Sequence, residues 1–296
     1  MIAAVTGGTG FVGSAVVSEL LQAGHEVRIL SRKAPEKLPA GVSHVKGSVV
    51  TGEGLDSLAQ GVDAVIHLVG IIKEAGPNTF KAVHHQGTVN VILAASRAGV
   101  RRYLHMSALG TREGARSRYH RSKWEGEEAV RCSGLEWTIF RPSTIFGPGD
   151  AFINMLAGMM RWTPVIPVLG GARNLMQPVA IQDVAVSFRT ALESDTHIGK
   201  TYELGGPDFF NLRQILEKVA QVIGKKRIFI NMPLPLFLPL VKAAALLKLP
   251  FPVTPDQLIM LGEDNVRTGG DPVEELRIAW TPFEEGIRAY LKTDIH

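Results

Sequence analysis

Tyr119 and Lys123 stand four residues apart in a stretch that reads as helix through Val130, so both side chains project from one helical face. A phenol beside an ammonium is a proton-transfer pair, because the positive charge lowers the phenol pKa from about 10 and makes it a usable donor or acceptor. Lys123 also has the reach to hold ribose hydroxyls. A second set of residues lies at the N-terminus, where Thr6-Gly7-Gly8-Thr9-Gly10-Phe11-Val12-Gly13 joins an apolar run to a helical one. There Gly7 permits a tight turn, Gly10 lets backbone approach a pyrophosphate, and Gly13 allows a helix to pack closely on a strand. The helix N-terminus attracts phosphate charge. With Thr9, Phe11 and Val12, these glycines form a candidate dinucleotide-binding loop.

The second apolar run ends in Ser31-Arg32-Lys33, where NAD-selective proteins place a carboxylate for the adenosine ribose. No carboxylate stands here, and a guanidinium suits a 2′-phosphate through paired contacts, so NADP(H) is favoured over NAD(H). The competing reading of Arg32 is a solvated strand end. His67 and His105 fall inside apolar runs and read as packed core histidines. His84 and His85 are adjacent, which points two side chains apart and makes a poor metal clamp.

These residues need a scaffold, and the pattern supplies one. Short β-branched runs at Ile2–Thr6, Glu26–Ser31, Ser43–Lys46, Ala64–Leu68, Arg102–Met106, Glu136–Arg141 and Thr201–Leu204 alternate with helix-period stretches. Val12, Val16, Val17, Leu20 and Leu21 recur at helical spacing, and Gly24 stops that helix. Such alternation predicts an α/β chain with a Rossmann-type, doubly wound parallel sheet built from right-handed βαβ units. After Arg141 the regularity fails. The expected division is a dinucleotide-binding domain over 1–142, rejoined by 177–206, and a small C-terminal substrate lobe from 143–176 and 207–296. Thr254-Pro255-Asp256-Gln257 and Thr281-Pro282-Phe283-Glu284 each match a capping box that starts a late helix. Ile228–Val253 is the most apolar stretch. Lys242, Lys248 and five prolines argue against a membrane span, leaving a buried helix of the smaller lobe or a surface for lipid or a partner protein.

A chain of 296 residues buries a sizeable core without disulfides, and one cysteine, Cys132, forms neither an internal bridge nor a metal site; it reads as a partly buried small hydrophobe. A strand starting at Ile2 leaves no room for a leader, which predicts a cytoplasmic protein. The net charge of +4 is concentrated only in Arg101, Arg102, Arg112, Arg116, Arg118 and Arg121. Without interleaved aromatics this is a solvated face or an anion-facing rim, and no nucleic-acid partner is expected.

Together, the glycine loop, Tyr119-His120-Arg121-Ser122-Lys123, Arg141-Pro142-Ser143-Thr144-Ile145-Phe146-Gly147, Gln177-Pro178-Val179 and Tyr202-Glu203-Leu204-Gly205-Gly206-Pro207 resemble an atypical extended short-chain dehydrogenase/reductase. Within that superfamily the chain is most similar to relatives of the nucleotide-binding accessory subunit of respiratory complex I, a likeness reaching Thr254-Pro255-Asp256-Gln257-Leu258 and Asp264-Asn265-Val266. The resemblance implies seven parallel strands and a C-terminal lobe over the nicotinamide. It implies that Leu68, Val69 and Gly70 line the cofactor and that Arg141, Pro142 and Ser143 pass beside the nicotinamide. Asp183 reads as a helix-starting residue. Enzymes of this superfamily carry a Ser or Thr just past the fifth strand to orient the substrate. Here that position aligns with Ala108, Ser107 is one step early, and only eleven residues separate Ser107 from Tyr119. Ser107 is therefore a candidate catalytic or cofactor-contacting hydroxyl in an incomplete trio.

Three functions follow from these readings. In the first, the chain is an NADP(H)-dependent oxidoreductase acting on a small-molecule substrate, with Tyr119 and Lys123 as the proton-transfer pair. In the second, it is a non-catalytic NADPH-binding accessory or assembly module of a respiratory complex, contacting a membrane partner through Ile228–Val253 at the inner face of a membrane. In the third, it is a nucleoside-diphosphate-sugar epimerase or dehydratase, weakened by the missing hydroxyl and by the preference of such enzymes for NAD.

Overall fold

The expected alternation builds a seven-stranded sheet. In the computed structural model, which describes residues 1–170, 173–233 and 254–291, the first six strands are β1 (Ile2–Thr6), β2 (Glu26–Ser31), β3 (Val42–Lys46), β4 (Ala64–His67), β5 (Arg102–Met106) and β6 (Glu136–Pro142). The seventh is Lys200–Leu204. Their order is Lys200–Leu204, β6, β5, β4, β1, β2, β3, and every pair is parallel. Four helices that matter to the site are α1 (Phe11–Gln22), α2 (Leu55–Ala59), α3 (Gly87–Arg97) and α4 (Arg118–Arg131). This is a Rossmann-like α/β fold. The strand order reverses at β1, whose neighbours are β2 and β4, so the crevice beyond the ends of β1 and β4 is the topological switch point where such sheets take ligands.

The chain divides into two units. The first comprises Met1–Pro142, Ile181–Leu204 and Asp271–Ala279. Its core joins Leu55, Leu58, Val65, Val91, Tyr103 and Ile139. The Ile181–Leu192 helix lies along α1, where Arg189 and Gln182 both reach Glu19, at 2.7 and 2.8 Å. Asp183 sits in the first turn of that helix. Asp271–Ala279, which the sequence assigned to the second region, belongs here because Leu276 is fully buried and Tyr202 donates to Glu275 at 3.1 Å. The arginine-rich stretch is not one face: Arg102 is 8% exposed and donates to the carbonyls of Glu136 and Ala191 and to Thr138. Cys132 is exposed at the C-terminal end of α4, rather than partly buried.

The second unit contains the described residues of Ser143–Ala180, Gly205–Gly270 and Trp280–His296. Phe146, Ile153, Leu216, Phe283 and Ile287 form its centre. The motif residues shared with the resembled family build this unit: Gln177 is fully buried, donates to the Gly206 carbonyl at 2.7 Å and accepts from the Arg267 amide at 3.0 Å. Thr254 and Gln257 form the expected capping box on the Pro255–Leu261 helix. On the helix Phe283–Leu291 the Phe283 amide donates to Asp208, and Glu284 is drawn to Lys218 and Arg288. Ile228–Met232 is a strand parallel to Val165–Leu169, not the start of a helix, because its β-branched residues find a partner strand 63 residues earlier in the chain, by the register Ile228↔Val165. The rest of the apolar stretch, 234–253, lies outside the described residues. No helix among the described residues is long and apolar enough to cross a membrane.

Candidate active site

The glycine-rich turn lies at the end of β1. Gly7 has φ of +79°, which a side chain would strain, and a Cβ at Gly13 would come within 2.0 Å of the Gly7 carbonyl oxygen. Both glycines are therefore required by the turn itself. Gly10 differs: it is exposed, and a Cβ there would meet only the Gly7 carbonyl oxygen, at 3.2 Å. It stands at the N-terminus of α1, where no side chain caps the first amides. A bare helix start facing an open glycine is a place for an anion, so these residues fit the pyrophosphate of a dinucleotide. Accordingly, Gly10→Val should weaken dinucleotide binding by roughly ten- to hundredfold, the scale of overpacking by a branched side chain, while the fold survives. Titration calorimetry beside circular dichroism checks this; unchanged affinity in a folded variant would put the phosphates elsewhere.

At the end of β2, Ser31 donates to the Lys33 carbonyl at 2.6 Å and contacts His44 at 2.9 Å, which fixes the turn. Arg32 and Lys33 are exposed, and no described carboxylate engages Arg32. Lys37, not singled out in the sequence, lines a groove of about 450 Å³ together with Gly8, Thr9 and Ser14.

Beside β1, the segment after β4 continues the site. A Cβ at Gly7 would lie 3.1 Å from the Val69 nitrogen, so the two loops run in contact. Leu68 is buried, Val69 half-buried and Gly70 exposed. Gly70 borders the Lys123 ammonium, and the Ile71 amide donates to His84 Nε2 at 3.0 Å. That bond fixes the His84 tautomer: its Nδ1–H donates to Ser122 Oγ at 2.8 Å, and Ser122 donates to the Tyr119 carbonyl at 2.7 Å. His84 thus ties the post-β4 loop to the first turn of α4. It sits in a π-helical turn, Lys81–Gln86, that runs into α3. Behind it, Thr88 donates to the His84 carbonyl and accepts from His67 Nε2, while Thr6 donates to His67 Nδ1 at 2.6 Å.

Tyr119 lies in the first turn of α4, which Ser117 caps by accepting from the His120 amide at 3.0 Å. Its ring meets His84 edge-on at 5.3 Å and Phe80 at 5.9 Å. Burial pushes the Tyr119 phenol up to about 12, the opposite of the lowering expected from the sequence. The reason is that packing strips part of the water from the half-buried ring, a cost to the phenolate that helical spacing does not reveal. Lys123 is 2% exposed and donates to the Met106 carbonyl at 3.0 Å; burial brings it down to about 8 against the pull of Glu127.

Other candidate residues are committed within the protein. Ser107 is buried, its amide donating to the Phe140 carbonyl at 2.7 Å and its hydroxyl facing Thr111, a buried hydroxyl that sequence reasoning missed. The Arg141 guanidinium forms a two-point bridge to Glu127 of α4, at 2.8 and 2.6 Å, so its side chain holds β6 to that helix. Pro142 is buried at the end of β6, and its carbonyl accepts from the Leu109 amide at 2.8 Å. Ser143, in the second unit, donates to Asn265.

A sequence model of the NAD dependent epimerase/dehydratase family matches residues 3–205. NADH dehydrogenase (ubiquinone) 1 alpha subcomplex subunit 9, mitochondrial, of Arabidopsis thaliana is 30% identical over 280 residues, which cover 90% of this chain and 70% of that one. The ceramide reductase of Caulobacter vibrioides is 33% identical over 241 residues, 79% of this chain and 74% of that one. Among solved structures, the dTDP-glucose 4,6-dehydratase DesIV of Streptomyces venezuelae, with NAD and TYD bound, superposes with a TM-score of 0.78 at 20% identity, over 99% of this chain and 96% of that one. At that identity the likeness is one of fold.

Proposed function

The chain belongs to the NAD dependent epimerase/dehydratase family, and on that premise we propose that it is an NADP(H)-dependent reductase of a small carbonyl compound, with Tyr119 as proton donor. One observation carries the reading: buried Lys123 borders the same post-β4 loop that abuts the glycine-rich turn, and Tyr119 stands one helical turn before it. Bound nicotinamide supplies the hydride. The chain does the rest. Gly7, Thr9, Gly10, Phe11, Val12 and Gly13 take the pyrophosphate, Leu68–Gly70 line the dinucleotide, and Lys123 holds the nicotinamide ribose. Tyr119 Oη, protonated at neutral pH because burial raises its pKa, gives its proton to the substrate oxygen. His84 fixes the start of α4 against the loop, so that phenol and ribose site keep their spacing.

Arg32 selects the phosphorylated cofactor. Loss of one charge-assisted contact costs about 1.5–3 kcal/mol, so NADPH should bind roughly ten- to hundredfold more tightly than NADH, and Arg32→Ala should remove most of that difference. Calorimetric titration of both proteins with both cofactors is the measurement. Equal affinities in the wild type would end the NADP(H) assignment.

A second reading is supported by Ala108 in place of a substrate-orienting hydroxyl and by the identity with the Arabidopsis subunit. In it, the chain retains NADPH without turnover and acts as an accessory or assembly module beside a membrane complex. Retention of NADPH through purification, with no oxidation by carbonyl compounds, quinones or nucleotide sugars, would favour this second reading.

A further inference from the structure

The second unit carries an apolar sheet face directed away from its core. Strand pairing sets Ile228 beside Val165 and Ile230 beside Pro167. The alternate residues Ile166 and Val168 are fully buried, so Val165, Pro167, Ile228 and Ile230 share the outer face. Ile228 is 63% exposed and Ile230 52%. Trp162, which ends the Phe152–Trp162 helix just before this strand pair, is 90% exposed. Arg227 locks the two pieces together: its Nε donates to the Met160 carbonyl at 2.6 Å, and the next amide, of Ile228, donates to the Pro164 carbonyl at 3.0 Å.

Basic residues gather at this end. Arg161, Lys225, Lys226 and Arg227 surround the start of the face, and the exposed side chains of Lys225 and Lys226 pair with no described carboxylate. The face itself offers aliphatic carbon, an indole at its edge and ammonium groups beside it, with few directional hydrogen-bonding groups. Protein interfaces carry about one hydrogen bond per 100–200 Å². A water–lipid boundary makes no such demand: indoles settle at headgroup level, aliphatic side chains enter the acyl boundary, and lysines meet anionic headgroups.

We propose that Trp162, Val165, Ile228 and Ile230, flanked by Lys225 and Lys226, dock the protein onto an anionic lipid bilayer. This surface is separate from the residues assigned to the dinucleotide and does not depend on that reading. The test is co-sedimentation of the full chain with vesicles of phosphatidylcholine containing phosphatidylglycerol, and with phosphatidylcholine alone. The wild type is expected to partition onto the anionic vesicles and to be released by salt. Lys225→Gln and Lys226→Gln should each weaken partitioning about fivefold. Trp162→Ala should weaken it by roughly tenfold, and circular dichroism should show all three variants folded. No binding to anionic vesicles, equal binding to both vesicle types, or variants that bind as the wild type does would overturn the proposal. So would a wild type that dimerises in gel filtration where Trp162→Ala is monomeric, since the face would then join two copies of the chain.

Discussion

Replacing Tyr119 by Phe should lower kcat for NADPH-dependent carbonyl reduction by about 10²–10⁴, the contribution of a positioned proton donor, with little change in NADPH affinity. The ring stays, so its edge contacts with His84 and Phe80 stay, while the hydroxyl and the proton it would donate are removed. Because burial holds the phenol at about 12, Tyr119 remains protonated through neutral pH, which suits donation to a carbonyl rather than abstraction from an alcohol. The reductive direction should therefore be the faster one at pH 7. The measurement is NADPH oxidation over a panel of carbonyl compounds for wild type, Tyr119→Phe and Ala108→Ser. Equal rates for wild type and Tyr119→Phe on a compound that is turned over would remove Tyr119 from the mechanism. A rise in Ala108→Ser would identify the absent hydroxyl as the reason for slow turnover, since one preorganised donor is worth about 10²–10³ in rate.

Mild acid should destabilise the first unit steeply. His67, His84 and His105 are all at most 1% exposed and packed around the Lys123 charge. Burial first, and Lys123 second, hold His67 at about 3; burial, Lys123 and His67 hold His84 at about 2; burial and His67 hold His105 well below its ordinary value. Each is neutral in the folded protein, whereas the unfolded chain protonates near 6.5. The unfolded state therefore binds more protons below that value, and stability is lost as pH falls from 6.5 toward 3. Between pH 7.5 and 5.5 the three together should cost about 4 kcal/mol, a large share of a stability of about 5–15 kcal/mol. Neither ring nitrogen of His105 has a hydrogen-bond partner among the described residues, so His105→Leu should fold and lose about a third of that dependence. Urea unfolding at the two pH values reads both effects. A wild type equally stable at both would mean that these histidines are charged, or that they are open to water.

The glycine loop, the Tyr119–Lys123 spacing and the strand-helix alternation were legible in the sequence because each depends on residues a few positions apart. A turn needing positive φ at Gly7, a helix packed tightly at Gly13 and two side chains four apart on α4 are all local requirements. For the same reason the strand positions and the Thr254 capping box came from pattern alone. Tertiary structure decided the rest. It gave Arg141 to Glu127, buried Ser107 against Thr111, and made His84 the tie between Ile71 and Ser122. It also reversed the expected direction of the Tyr119 shift and paired Ile228–Met232 with Val165–Leu169. Burial and pairing join residues tens of positions apart, and they set both desolvation and the choice of partner. Spacing along the chain states which groups share a face; only packing states which of them lose water and to whom their protons go.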